Sequence, residues 1–289
     1  MSITAGKQYV SSQKSKRAKR TDIYTYVALI IMALIINLPF LQMIVTSFKN
    51  KNEAMTSTAF LPISPTFDNF RTVIFNTNFL SNMLNSFKIS MIVTLLCIIF
   101  AVMAGYAISR FRGRVFSLYT TMMLMLQLFP GVLMLIPLFV IFRNLGIIDN
   151  HLSLILAYTT SNLPFSVWLI KGFFDTIPFD TEQAGMIDGC SQFQAFWRLV
   201  LPVSMPGIST VAIFTFINSW GEFMVASILL RSAPLHTITL GLQQFVMQYG
   251  TDWTSLMAAS TICSIPTLIF LLIAQKYLIR GMSAGSVKG

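Results

Sequence analysis

The sequence predicts an all-α polytopic membrane protein: six transmembrane helices, with a helix–turn–helix in one inner loop. Three observations lead there. Of the 289 residues, 55% are apolar and only 10% are charged, far below the roughly 25% charged usual in soluble domains. The mean hydropathy is +0.70, so a soluble fold would lack the polar side chains to cover its surface. Several apolar runs exceed the roughly 18 residues that mark a helical span, and they lack the short alternating pattern of barrel strands.

Residues 1–22 form a basic tail. Lys7, Lys14, Lys16, Arg17, Lys19 and Arg20 are six of the 20 Lys and Arg residues. The formal net charge of +10 is thus weighted toward a segment suited to anionic lipid, so membrane lipid rather than nucleic acid is the expected partner. A transmembrane domain follows over 23–279. Its spans are read at 23–46, 87–109, 115–142, 152–174, 208–230 and 256–279. The first is too long for a signal-peptide core and carries no small-residue cleavage site, so it is expected to stay uncleaved. Pro39, Pro130, Pro137, Pro164 and Pro266 lie in these runs. Proline removes a backbone hydrogen bond and kinks a membrane helix, which neighbouring helices compensate around a cavity.

Loop charge sets the expected orientation. With the N-terminus inside, the inner segments collect the six tail residues plus Arg110, Arg112, Arg114, Lys171, Arg198, Lys276, Arg280 and Lys288. The outer segments hold only Lys49, Lys51, Arg71, Lys88, Arg143 and Arg231. The excess places both termini in the cytoplasm. A long outer loop, 47–86, is expected to pack as a small cap. Residues 280–289 form a cytoplasmic tail.

The inner loop 175–207 carries the most information. Asp180 with Gln183, and Ser191 with Gln194, have capping-box spacing. Gly189 between them suits a helix stop in the left-handed region, and Pro202 is expected to end the second piece. Two short helices meeting at a glycine turn follow. Ala184 and Gly185 are small enough to let another surface approach. Phe193, Phe196 and Trp197 fall at i, i+3 and i+4 and are expected on one face.

The spacing Glu182-Gln183-Ala184, Gly189, then Leu199-Val200-Leu201-Pro202 resembles the motif of the membrane subunits of binding-protein-dependent ABC importers. Gln183 and Leu199 replace the usual alanine and isoleucine, and Asp188-Gly189 is similar to the carbohydrate branch. Further resemblance lies in Asn85-Ser86, Gly105-Tyr106-Ala107-Ile108-Ser109-Arg110-Phe111, Pro164-Phe165-Ser166-Val167-Trp168, Trp220-Gly221-Glu222-Phe223, Leu229-Leu230-Arg231 and Gly241-Leu242-Gln243-Gln244-Phe245. The end, Gly281 to Gly289, looks like the tail of maltose-type permeases.

The resemblance implies a bacterial cytoplasmic-membrane subunit paired with a second related permease, two ATPase subunits and an extracytoplasmic sugar-binding protein. It implies that Glu182, Ala184, Asp188, Gly189, Leu199 and Pro202 couple the ATPases to the pore. It also implies that the tail, at Gly285, Lys288 and Gly289, reaches the ATPase dimer. The substrate it implies is a carbohydrate, an oligosaccharide such as maltodextrin first.

Residue chemistry agrees with a subunit that cannot power itself. The sequence has no Gly-x-x-x-x-Gly-Lys-[Ser/Thr] loop, so no cofactor is expected on this chain and ATP belongs to its partners. No Gly-x-Ser-x-Gly elbow accompanies His151 or His236. Cys97, Cys190 and Cys263 suggest neither a disulfide framework nor a metal site. An ion-coupled secondary transporter or channel subunit is the alternative class, and such proteins place paired ionisable groups in their spans. Here Glu222 is the one acid read as lying well inside a span. Thr215, Asn218, Ser219 and Glu222 recur at helical spacing. The stripe either lines the translocation path, with Asn218, Ser219 and Glu222 facing it, or joins the partner permease. Trp168, Asn162 and Gln127 are further path-lining candidates.

Overall fold

A computed structural model describes the backbone of residues 3–285 other than 112 and 248–249, and side chains within 24–275 other than 112, 124 and 247–249. The chain runs α1 (Ile3–Ser47), α2 (Lys51–Thr56), α3 (Asp68–Phe75), α4 (Phe79–Arg110), α5 (Arg114–Gln127), α6 (Gly131–Asn144), α7 (His151–Asp175), α8 (Phe179–Ile187) and α9 (Gln192–Ala195). A π-helical turn (Phe196–Val200) then leads through α10 (Leu201–Val203) into α11 (Met205–Gly221). After α12 (Met224–Leu229), a 3₁₀ turn (Ala233–Leu235) and α13 (Ile238–Gln243), strands β1 (Val246–Met247) and β2 (Gly250–Thr251) form a short antiparallel ribbon. The ribbon leads into α14 (Trp253–Gly285).

Among the described residues, four helices are long and apolar enough to cross a membrane: Tyr24–Ser47, α4, α7 and α14 as far as Gln275. The bent pairs α5–α6 and Gln192–Val203 with α11 raise the number to six. The predicted third span is therefore broken. Its halves meet at 99°, with Pro130 at the break, where it cannot donate a helical hydrogen bond. The predicted fifth span, 208–230, is corrected: α11 stops at Gly221, Glu222 is extended (φ −72°, ψ 131°), and α12 is a separate piece. The apolar run continues across this break, which hydropathy alone does not reveal. The second span begins earlier than predicted, at Phe79, because the polar turns at Asn82, Asn85 and Lys88 remain helical.

Burial along α4 follows the helical period. Phe79, Asn82, Ser86, Ile89, Val93, Cys97, Ala101, Gly105 and Ile108 face inward, three to four residues apart as one packed face requires. This stripe packs against α7 and α11. A second cluster joins Phe79, Phe216, Trp220, Ile238, Ala258 and Ala259 near the start of α14. By contrast, Tyr24 to Leu38 of α1 are exposed throughout, which suits a helix facing lipid or a neighbouring subunit.

The 47–86 loop forms the expected cap. Asn69 donates to the carbonyls of Ser47 and Lys49 at 2.8 Å each. Buried Glu53 accepts from the backbone N–H of Ile63 at 2.6 Å. Lys51 ties the cap to Asp252 at 2.7 Å, and the same carboxylate caps α14 by accepting from the Ser255 N–H and hydroxyl. Burial tends to raise the Asp252 carboxyl, but Lys51 and Ser255 outweigh it and hold the group below the usual range.

Candidate functional site: the 175–207 segment and its anchor

The segment after α7 turns at Gly189, whose φ is +90°. A Cβ there would meet nothing within 4 Å. The glycine is needed for its backbone conformation, which L side chains rarely adopt. The Gly189 N–H donates to Met186 O at 3.1 Å, and the Cys190 N–H to Gly185 O at 3.0 Å. Ser191 then starts α9 with the reciprocal bonds of a capping box: Gln194 N–H to Ser191 Oγ at 3.3 Å, and Ser191 N–H to Gln194 Oε1 at 2.9 Å. The short helices α8 and α9 thus flank the turn at Gly189.

Three local expectations are corrected. Asp180 and Gln183 make no capping box, because α8 begins at Phe179 with Pro178 as its N-cap, which places Asp180 inside the first turn. The second piece closes at Val203, one residue past Pro202. The π turn supplies an N–H from Leu201 to Phe196 O, and after the break at Ser204 the chain bends by 69° into α11. Such turns absorb an inserted residue within a helix. Gly185 does not await a partner surface: a Cβ there would lie 2.4 Å from Leu199 Cδ1, so Leu199 already fills the notch. The three aromatics do not share one exposed face. Phe193 and Trp197 are exposed and pack edge-to-face at 6.0 Å, whereas Phe196 turns inward onto Tyr106, 4.6 Å between ring centres.

Of the predicted coupling residues, Ala184, Asp188, Gly189 and Pro202 are exposed and Leu199 is half-buried. Glu182 is different, at 1% exposure. Its Oε1 accepts from Arg110 Nε at 2.5 Å and its Oε2 from the Tyr106 hydroxyl at 2.6 Å. The same guanidinium donates at 3.2 Å each to the carbonyls of Phe174 and Ile177. Arg110 thus joins the end of α4, the end of α7 and α8. A buried charge needs such a set of partners, since an uncompensated one costs several kcal/mol. Neither the Gly105–Phe111 match nor the inner-loop charge of Arg110 reveals that Tyr106 and Arg110 anchor this segment. The available signal was an acid in a short helix with no local partner.

Beside this anchor a cavity of about 830 Å³ opens between Ser109, Arg110, Phe116, Lys171, Asp175 and Phe179. Lys171 pairs with Asp175 at 2.5 Å, and Ser109 Oγ donates to the same carboxylate at 2.6 Å.

The polar stripe does not hold together as predicted. Asn218 is exposed, Ser219 is buried with an unpartnered hydroxyl, and Glu222 lies beyond the helix end. Glu222 accepts from the Tyr158 hydroxyl at 2.7 Å and from the N–H groups of Val225 at 2.9 Å and Ala226 at 3.2 Å. The carboxylate therefore satisfies the free N–H groups that open α12. Trp168 is exposed and Asn162 buried, while Gln127 is exposed and reaches Ser161 O at 3.4 Å. Gly285 is the last residue of α14, and the tail positions Lys288 and Gly289 lie outside the described residues. No cluster of metal ligands occurs among the described residues.

Residues 97–284 match the family described as binding-protein-dependent transport system inner membrane component. The chain is 35% identical to the galactooligosaccharides transport system permease protein GanQ of Bacillus subtilis, over 92% of this chain and 95% of that one. It is 33% identical to the trehalose/maltose transport system permease protein MalG of Thermococcus litoralis, over 90% and 94%. Its fold matches a chain of a bacterial ABC transporter involved in import of the acidic polysaccharide alginate, with a TM-score of 0.77, 22% identity, and 90% and 96% of the two chains covered. The protein thus belongs to the binding-protein-dependent transport system inner membrane components, the multi-pass permease subunits of ABC transporters.

Proposed function

We propose that this chain is the permease subunit through which an ATP-driven importer moves a carbohydrate into the cytoplasm, an oligosaccharide such as a maltodextrin first. It sits in a bacterial cytoplasmic membrane with both termini inside. A second related permease completes the pore, two ATPases drive it, and an extracytoplasmic sugar-binding protein loads it. Glu182, Ala184, Asp188, Gly189, Leu199 and Pro202 build the coupling segment, and the tail at Gly285 to Gly289 adds a second ATPase contact.

One observation carries the coupling role. The segment is locked to α4 through buried Glu182 and Arg110, while its free side exposes Ile187 at 86%, Phe193 at 71% and Trp197 at 52%. On the inner loop of the proposed orientation, apolar groups this exposed mark a protein interface, and the rigid anchor lets a push on them reach the bundle. The relatives that move galactooligosaccharides and trehalose or maltose support the substrate class. The bonding of Glu222 and Glu182 within the chain weighs against an ion-coupled carrier, whose coupling carboxylates need to exchange partners.

Uptake of labelled maltotriose, galactotriose and trehalose, in cells carrying or lacking the gene, tests this reading. Loss of ATP-dependent uptake of at least one sugar on deletion is expected. Unchanged uptake of every sugar on deletion would overturn it.

A further inference from the structure

A polar pocket at the cap end of the bundle, opposite the coupling segment, has no assigned role. It measures about 390 Å³, within the roughly 300–1,000 Å³ of small-molecule sites. Asn78 and Asn82 line it from the start of α4, and His236, Leu240, Gln243 and Gln244 from the turn before α13 and from α13 itself. No Asp, Glu, Lys or Arg is among its lining residues. Asn82 is only 3% exposed, yet its Oδ1 has no hydrogen-bond partner. A buried amide left this way costs on the order of 1–3 kcal/mol, which rotation of the Asn82 amide toward a donor in the pocket would recover.

The walls are preorganised. Asn85 Nδ2 donates to Pro234 O at 2.9 Å and to His236 O at 3.1 Å. Ser86 Oγ accepts from the Ile238 N–H at 2.8 Å, and His151 Nε2 lies 2.8 Å from Leu235 O. Thr239 Oγ1 donates to Glu222 O at 2.7 Å, fixing α13 to the end of α11. Gly241 makes room for the key side chain: a Cβ there would come within 2.6 Å of Asn82 Nδ2. Fixed amides pair with hydroxyl groups, and a lining without Lys or Arg offers no cation to offset the carboxylate of an acidic sugar.

We infer that this pocket binds the hydroxyls of an uncharged sugar residue at the entrance side of the permease, with Asn82 and Gln244 as specificity-determining contacts. The inference rests on the carbohydrate reading and sharpens it: the substrate is a neutral rather than an acidic glycan.

The test uses the assembled transporter, with Cys97, Cys190 and Cys263 replaced and Gln243→Cys introduced. Gln243 lines the pocket and is exposed, so this change spares the fold and both proposed contacts. Modification of the new thiol by a maleimide is timed with maltotriose, galactotriose or trigalacturonate present, and ATP-dependent uptake of the same sugars is measured in parallel. Whichever neutral sugar is transported is expected to slow modification about tenfold, the effect of one to two hydrogen bonds. Trigalacturonate is expected to have no effect. Asn82→Ala, which adds no charge, should abolish the protection while leaving the unprotected rate and ATPase co-purification unchanged. If a neutral sugar is transported but does not slow modification, the pocket is not its site and the carbohydrate reading stands. Protection by trigalacturonate instead would overturn the neutral specificity. If none of the three is transported, both fall.

Discussion

Arg110 Nε lies 2.5 Å from Glu182 Oε1, with both side chains at or below 8% exposure. This pair makes the end of α4 and the start of the coupling segment one rigid unit. Glu182 belongs to the segment that the motif assigns to ATPase docking, but its bonds are spent inside the chain. In the proposed coupling role Glu182 therefore acts by position rather than by contact.

Breaking one side of this pair leaves the other charge buried without compensation. Arg110→Gln is expected to destabilise the chain by about 3–5 kcal/mol and to reduce ATPase co-purification, although Arg110 is not among the exposed coupling residues. Thermal unfolding in detergent and pull-down of the ATPases check both effects. Unchanged retention with an unchanged Tm would show that the pair does not position the segment.

Glu222 gives a second stability prediction. Its carboxylate serves Tyr158, Val225 and Ala226. Read as a lone charge inside a span, Glu222 would be dispensable, and Glu222→Leu could stabilise. As the group that opens α12, it is needed. Glu222→Leu is expected to cost about 2–3 kcal/mol and Glu222→Gln less, measured by thermal unfolding of the purified subunit.

The contrast shows what the sequence made legible and what it did not. Hydropathy placed the spans because burial in lipid depends on composition summed over about 20 residues. Gly189 and the Ser191–Gln194 box were readable because turns and caps are local. The Glu182–Arg110 and Glu222–Tyr158 pairs join positions 72 and 64 residues apart, and no local spacing encodes them. The break at Glu222 was hidden for the same reason: the residues on both sides are apolar, and a distant tyrosine satisfies the carboxylate.

The link between the α6–α7 and α12–α13 loops gives a pH prediction. Asp149 accepts from the Ser232 hydroxyl and from the N–H groups of Ser232 and Arg231, the last two at 2.9 Å. These bonds, led by the Ser232 hydroxyl, hold its carboxyl down at about 2. The folded value lies below the unfolded value of roughly 4. The stabilisation is therefore complete above about pH 4 and is lost as pH falls toward 2. Hydrogen-exchange protection of the Arg231 and Ser232 amides should persist at pH 5 and decline below pH 3. In Asp149→Asn it should be low throughout.

Orientation is testable by thiol labelling. With the three native cysteines replaced, a cysteine in the 56–69 loop should react with an impermeant reagent on intact cells. One in the 110–114 loop should react only after lysis. The opposite pattern would reverse the topology.

The coupling segment is tested most directly by Gly189→Asp in the reconstituted transporter, with ATP-driven sugar uptake and ATPase retention measured on one preparation. The φ of +90° and the exposed dock together lead to the expected result: the subunit inserts normally, the ATPases dissociate, and uptake falls to background. Wild-type ATPase retention together with wild-type ATP-driven uptake would contradict the assignment of the 175–207 segment as the coupling element.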